Sequence, residues 1–203
     1  MHEVVGRPLQ VTWTGSTLRV SHVKDDDGNL FESLKRSFGS FGDKQLSARV
    51  SLSVPSTTEV GVSTISAEAL VNGVRAEVRA NTVSGVLTLD DITGDVKANT
   101  VSGDITLDLT SGKARISSNS VSGDVTVRIP PGGGFDVTAH TASGQVVIDG
   151  RKVTIPGSDR PGGQMSDGDK ALGVKAHSVS GNVVVLRARS SQGDNDDTES
   201  AAG

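Results

Sequence analysis

From Ala80 to Gly85 the chain reads A-N-T-V-S-G, and from Ala98 to Gly103 the same six letters return. Near-copies follow as S-N-S-V-S-G at Ser118 to Gly123, A-H-T-A-S-G at Ala139 to Gly144 and A-H-S-V-S-G at Ala176 to Gly181. A worn copy, V-S-T-I-S-A, precedes them at Val62 to Ala67. The serine before each final position is Ser66, Ser84, Ser102, Ser122, Ser143 and Ser180, so the steps are 18, 18, 20, 21 and 37 residues. Apolar residues alternate after each copy: Leu87 and Leu89, Ile105 and Leu107, Val125 and Val127, Val146 and Ile148, Val183 and Val185. A second apolar position leads into each copy, at Val78, Val96, Ile116, Val137 and Val174.

A half-period of about nine residues holds a strand of about five residues and a turn, and leaves no room for a crossover helix. Equal repeats with one inward pattern stack in parallel, each coil covering the apolar face of the next. The predicted fold is therefore all-β: a parallel β-solenoid, or β-helix, of about 18–20 residues per coil. The hexapeptide reads as a coil corner, formed by Ser84 and Gly85, Ser102 and Gly103, Ser122 and Gly123, Ser143 and Gly144, and Ser180 and Gly181. At these corners the glycine turns the chain, and the Ala and Val of the hexapeptide are expected to face inward. The second letter makes a ladder of Asn81, Asn99, Asn119, His140 and His177. Amides in such a ladder hydrogen-bond along the stack, and the two histidines are expected to take the same role.

The two longer steps mark decorations. Pro130-Pro131-Gly132-Gly133-Gly134 reads as a bulging turn, and Pro156 to Gly173, rich in Gly, Asp and Ser, reads as a mobile loop. Ahead of the repeats, Leu9, Val11 and Trp13 alternate, Gly15 and Ser16 turn, and Leu18 and Val20 alternate again, with Trp13 as a core plug. Asp25 to Asn29 is an acidic turn that lacks the spacing of a calcium loop. Leu30, Phe31, Leu34, Phe38 and Phe41 recur at helical steps and predict one short helix-like segment. A strand is expected from Lys44 to Val54. The domain plan is thus N-terminal strands and a helix-like cap over 1–45, a solenoid over 46–189 and a disordered tail over 190–203.

Repeated [T/S]-V-S-G-D-[V/I]-x-[V/L] units, led in by Val54-Pro55 and closed by S-V-S-G-N-V-V-V-L-R, resemble the bacterial adhesin β-strand-repeat family, a domain of unknown function. The resemblance covers roughly residues 46–189. It implies a β-solenoid and cell-surface adhesion, and it brings no catalytic residue set.

Composition narrows the function. The 203 residues include no Cys, one Trp and no Tyr, with a net charge of −4. That charge gives no reason to expect nucleic acid or an anionic membrane as partner. The first ten residues have no apolar signal-peptide core, and no run approaches the ~18 apolar residues of a spanning helix. A cytoplasmic location is expected for the sequence as given, with no membrane insertion; an export signal further upstream would place it at the cell surface. No catalytic, cofactor-binding or metal set stands out. His140 and His177 lack the Cys or carboxylate partners of usual zinc sites. Asp104 and Asp124 read as solvated turn charges. Thr88, Thr106 and Thr126 read as β-branched residues on an exposed sheet face. The expected function is a non-enzymatic, adhesin-like binding or scaffold module whose partner is a protein or a cell-surface glycan. A polymer-forming β-helix protein, self-associating through its solenoid ends, is the alternative. A polysaccharide-acting enzyme is the third class, and it rests on fold analogy alone.

Overall fold

A computed structural model describes residues 3–5, 10–14, 16–21 and 47–188. The chain divides into two compact units, Met1–Val54 and Pro55–Gly203.

In the first unit, β1 (Glu3–Val5) pairs antiparallel with β4 (Ser47–Arg49). A hairpin joins β2 (Gln10–Thr14) to β3 (Thr17–Ser21), as the turn at Gly15 and Ser16 predicts. The alternation there does not bury Val11, which is 59% exposed. Of the strand expected over 44–54, the described residues 47–54 form β4 alone, and Val50, Leu52 and Val54 are exposed. The side chain of Trp13, the acidic turn 25–29, the helix-like stretch 30–41 and the tail 190–203 lie outside the described residues. Among the described residues there is no helix.

In the second unit each coil contributes one strand to each of two seven-stranded sheets. Coil 1 is β5 (Val60–Ser66) and β6 (Ala69–Asn72); coil 2 is β7 (Val78–Ser84) and β8 (Leu87–Ile92); coil 3 is β9 (Val96–Ser102) and β10 (Ile105–Leu109). Coil 4 is β11 (Arg115–Ser122) and β12 (Val125–Ile129), and coil 5 is β13 (Phe135–Ser143) and β14 (Val146–Ile148). Two antiparallel strands follow, β15 (Arg151–Lys152) and β16 (Gly162–Asp167). Coil 6 is β17 (Leu172–Ser180) and β18 (Val183–Arg187).

Inward positions alternate along the parallel strands of the coils and meet in one apolar core. Val78, Ala80, Leu87, Leu89, Val96, Ala98, Ile105, Leu107, Val125 and Val127 are all at most 1% exposed. In-register pairing carries this pattern from coil to coil: Val78 faces Val96, Ala80 faces Ala98, and Leu87 faces Ile105. Short aliphatic side chains suffice because facing sheets pack only about 10 Å apart. Burial of each Leu or Ile stabilises the fold by roughly 1.5–3 kcal/mol.

Two features depart from the sequence-based expectation. First, the coils do not stack in chain order. β17 lies between β11 and β13, and β18 lies between β12 and β14, so the spatial order is coils 1, 2, 3, 4, 6, 5. The Pro130–Gly134 linker therefore climbs two coil spacings, about 9.6 Å, where an ordinary coil step climbs one. Five residues can span up to ~17 Å. Second, the segment expected to be a mobile loop is structured. β16 pairs antiparallel with β13, Thr154 bridges Pro161, and the Asp169 carboxylate accepts the Gly134 and Ala171 N–H groups. Its glycines do not make it loose: Gly162 and Gly163 lie in a strand where a Cβ would press on His140 and Val153.

Candidate functional site

The outer face of the sheet that holds β5, β7, β9, β11, β17, β13 and β16 carries a ladder of stacked polar side chains. Its central column runs Asn81, Asn99, Asn119, His177, His140. The Asn99 amide donates to Asn81 Oδ1 at 3.0 Å, and the Asn119 amide donates to Asn99 Oδ1 at 2.9 Å. All five predicted ladder residues thus share one column, with His177 ahead of His140. The imidazoles continue the column by ring stacking, where hydrogen bonding was expected: their centroids are 5.5 Å apart and their planes 14° from parallel. Lone pairs in two nearly parallel planes do not converge on one ion. No group of three metal-ligating side chains occurs among the described residues. Burial lowers the His177 pKa from its ordinary value, with further lowering from His140 and Lys175.

A basic column flanks the ladder. Arg79 faces Lys97, and further along Ser117 faces Lys175, which faces Thr138. Glu77 pairs with Lys97 at 3.1 Å and with Arg79 at 2.7 Å, and the Lys97 contact leads in holding its carboxyl below the usual range. On the other flank an apolar column runs through Val83, Val101, Val121 and Val179, the last three 50%, 50% and 55% exposed. The Val of the hexapeptide therefore faces solvent, which corrects the expected inward placement. The hydroxyl before it faces inward instead: Thr82, Thr100, Ser120, Ser178 and Thr141 are buried. Its role is local. Thr141 Oγ1 donates to the Gly181 carbonyl at 2.9 Å, and Ser120 and Ser178 each donate to the Gly123 carbonyl at 3.4 Å, whereas Thr100 Oγ1 has no partner.

The ten Ser and Gly corner residues lie where the sequence puts them. Gly85, Gly103, Gly123, Gly144 and Gly181 all have φ between +136° and +154°. A Cβ on Gly123 would strike the backbone of Gly103, one on Gly181 that of Gly123, and one on Gly144 that of Gly181. The residue after three of these glycines is a staple. Asp104 Oδ1 accepts the Asp124 N–H at 2.9 Å, Asp124 Oδ1 accepts the Asn182 N–H at 2.7 Å, and Asn182 Oδ1 accepts the Gln145 N–H at 3.1 Å. Asp104 and Asp124 are thus structural acceptors as well as turn charges, and Asn fills the same place with the same geometry. Arg187 ties the far end together, donating to Asp167 at 2.8 Å while its guanidinium lies over Phe135.

A two-sheet parallel β-solenoid with polar, basic and apolar columns on one outer face defines the class of protein. The chain belongs to the Toastrack DUF4097 family, whose model matches residues 11–191. That family is a domain of unknown function with a β-repeat fold, and the match carries no adhesin label. No curated protein and no solved structure matches the chain. Among the described residues no helix is long and apolar enough to cross a membrane.

Proposed function

We propose that this Toastrack chain is a non-enzymatic binding or scaffold module, adhesin-like in mode, which recognises an extended partner with the outer face of the ladder sheet. One observation carries the reading: five in-register rungs, the amides of Asn81, Asn99 and Asn119 and the imidazoles of His177 and His140, line up at ~4.8 Å spacing on one outer sheet face. A periodic face of this kind suits a periodic ligand such as a cell-surface glycan or an extended protein segment, because each added rung contributes the same small contact. The antiparallel strands β15 and β16 lie across β14 and β13 at one end of the solenoid. This favours a binding module over a head-to-tail polymer, which needs open parallel edges at both ends.

Co-sedimentation with isolated bacterial cell walls tests the proposal. Wild-type protein should pellet with the walls, and the triple variant Asn81→Ala, Asn99→Ala, Asn119→Ala should lose most of that binding while still melting cooperatively. A variant of the opposite sheet, Thr88→Ala, Thr106→Ala, Thr126→Ala, should bind as wild type does. Equal losses in the two variants, or no pelleting of wild type, would overturn the assignment of the face.

A further inference from the structure

The inserted coil poses a physical question. Six coils have the same number of parallel interfaces whether coil 5 or coil 6 lies next to coil 4. The repeat phase also fits both orders. Phe135, Val137, Ala139 and His140 on β13 are the direct partners of Leu172, Val174, Ala176 and His177 on β17. A strand that packs against one therefore packs against the other. Even β16 is indifferent: Met165 opposite Val137 could sit opposite Val174 with the same parity. Parallel pairing and core pattern alone leave the order open.

One local element breaks the tie. β14 ends at Ile148 and β15 starts at Arg151, with Ile148 paired to Arg151 and Val147 to Lys152. The two residues between, Asp149 and Gly150, both have positive φ, +49° and +76°. Positive φ at both central residues is the requirement of a type I′ hairpin, and Asp-Gly is among its strongest sequence signals. The ladder continues from there, with Val153 N–H donating to the Val146 carbonyl at 2.9 Å. This hairpin folds β15 onto the outer edge of β14, the edge coil 6 would need in chain order. Hairpins close in about 1–10 μs, ahead of contacts between segments distant in sequence. When coil 6 arrives, only the inner side of coil 5 is open to it.

We propose that the Asp149–Gly150 turn sets the coil order, and that the chain holds a second, consecutive stacking in which coil 5 contacts coil 4 directly. The turn thereby places Lys175 between Ser117 and Thr138 on the ladder face. In the consecutive order Lys175 moves to the end of the face, and β17 and β18 lie next to the end of the stack.

Disulfide trapping reads the order directly, because the sequence contains no native Cys. In the inserted order Ser117 and Lys175 are direct partners, so Ser117→Cys with Lys175→Cys should cross-link within one chain. Ser117→Cys with Thr138→Cys should not, since two coil spacings exceed the ~4.4–6.8 Å between Cα atoms that a disulfide spans. Adding Asp149→Pro and Gly150→Val should reverse this pattern, so that 117 joins 138 and no longer joins 175. A Cβ at Gly150 meets no atom within 4 Å. Gly150→Val alone opposes the positive φ, and should raise the 117–138 fraction about tenfold. Unchanged cross-linking in both turn variants overturns the proposal. Loss of cooperative melting in both overturns it too, because a competent second stacking is what it asserts.

Discussion

Replacing Gly103 by Ala adds one methyl at the tightest corner of the coil stack. Gly103 has a φ of +154°, which side chains with a Cβ disfavour. Its Cβ would lie 2.9 Å from both the carbonyl carbon and the nitrogen of Gly85, and closer still to the Gly85 oxygen. Carbon contacts become attractive only near ~3.5 Å, so the coils must part or the corner must rotate. Backbone strain costs roughly 1–3 kcal/mol. Overpacking against a backbone held by its own ladder costs about 1–3 kcal/mol more. A total near 4 kcal/mol, at about 2–4 °C per kcal/mol for a chain of this length, lowers the melting midpoint on the order of 10 °C. Gly112→Ala is the internal control, since a Cβ there meets nothing within 4 Å and φ is not positive; its effect should stay within about 0.5 kcal/mol. Thermal melts followed by circular dichroism compare the two. Midpoints for both variants within a degree or two of wild type would refute the corner reasoning.

Three further outcomes follow from the same geometry. Thr100 Oγ1 is buried without a partner, whereas Thr141 Oγ1 shares its one proton between two carbonyls at 2.9 and 3.1 Å. Thr100→Val should therefore be neutral or stabilising by up to about 1 kcal/mol, and Thr141→Val destabilising by about 1 kcal/mol or more, in urea titrations. Asp124→Ala removes the acceptor of the Asn182 N–H, and should lower the urea midpoint by the equivalent of about 1 kcal/mol. His177 has its pKa lowered by folding, so the unfolded chain binds its proton more readily. Its contribution is complete above the ordinary value of 6.5 and is lost as pH falls from there through the folded pKa. Melts from pH 7.5 to 5 should show that loss, and His177→Asn should flatten it; an equally steep profile in the variant would remove His177 as the cause.

The repeat made the solenoid readable because an inward pattern recurring every 18 residues has few other packings. Coil pairing, corner glycines and the membership of the ladder all come from that phase. Coil order did not, because Val137 and Val174, or His140 and His177, are equivalent in any phase argument. What decides it is a two-residue turn inside a segment that looks like a polar, glycine-rich loop. The hydroxyl column was missed for another reason. Counting by two from Val78 and Ala80 reaches Thr82, but Val83 is the more apolar neighbour, so parity and hydrophobicity point to different inward residues. Thr82 is 5% exposed, which shows that parity is the stronger signal here, and its hydroxyl accepts from Thr64 Oγ1 at 3.0 Å. The outer ladder face was recognisable as a column, while its basic and valine flanks emerge only once both sides of each strand are assigned.

The insertion of coil 6 is the claim on which the fold, the ladder order and the role of the turn all rest. Nuclear Overhauser contacts between neighbouring strands in the full-length protein measure it without any mutation. Backbone contacts should join Asn119 to His177 and His177 to His140, with Ser117 to Lys175 and Lys175 to Thr138 beside them, and none should join Asn119 to His140. Direct Asn119–His140 and Ser117–Thr138 contacts, with His177 beyond them, would contradict the account.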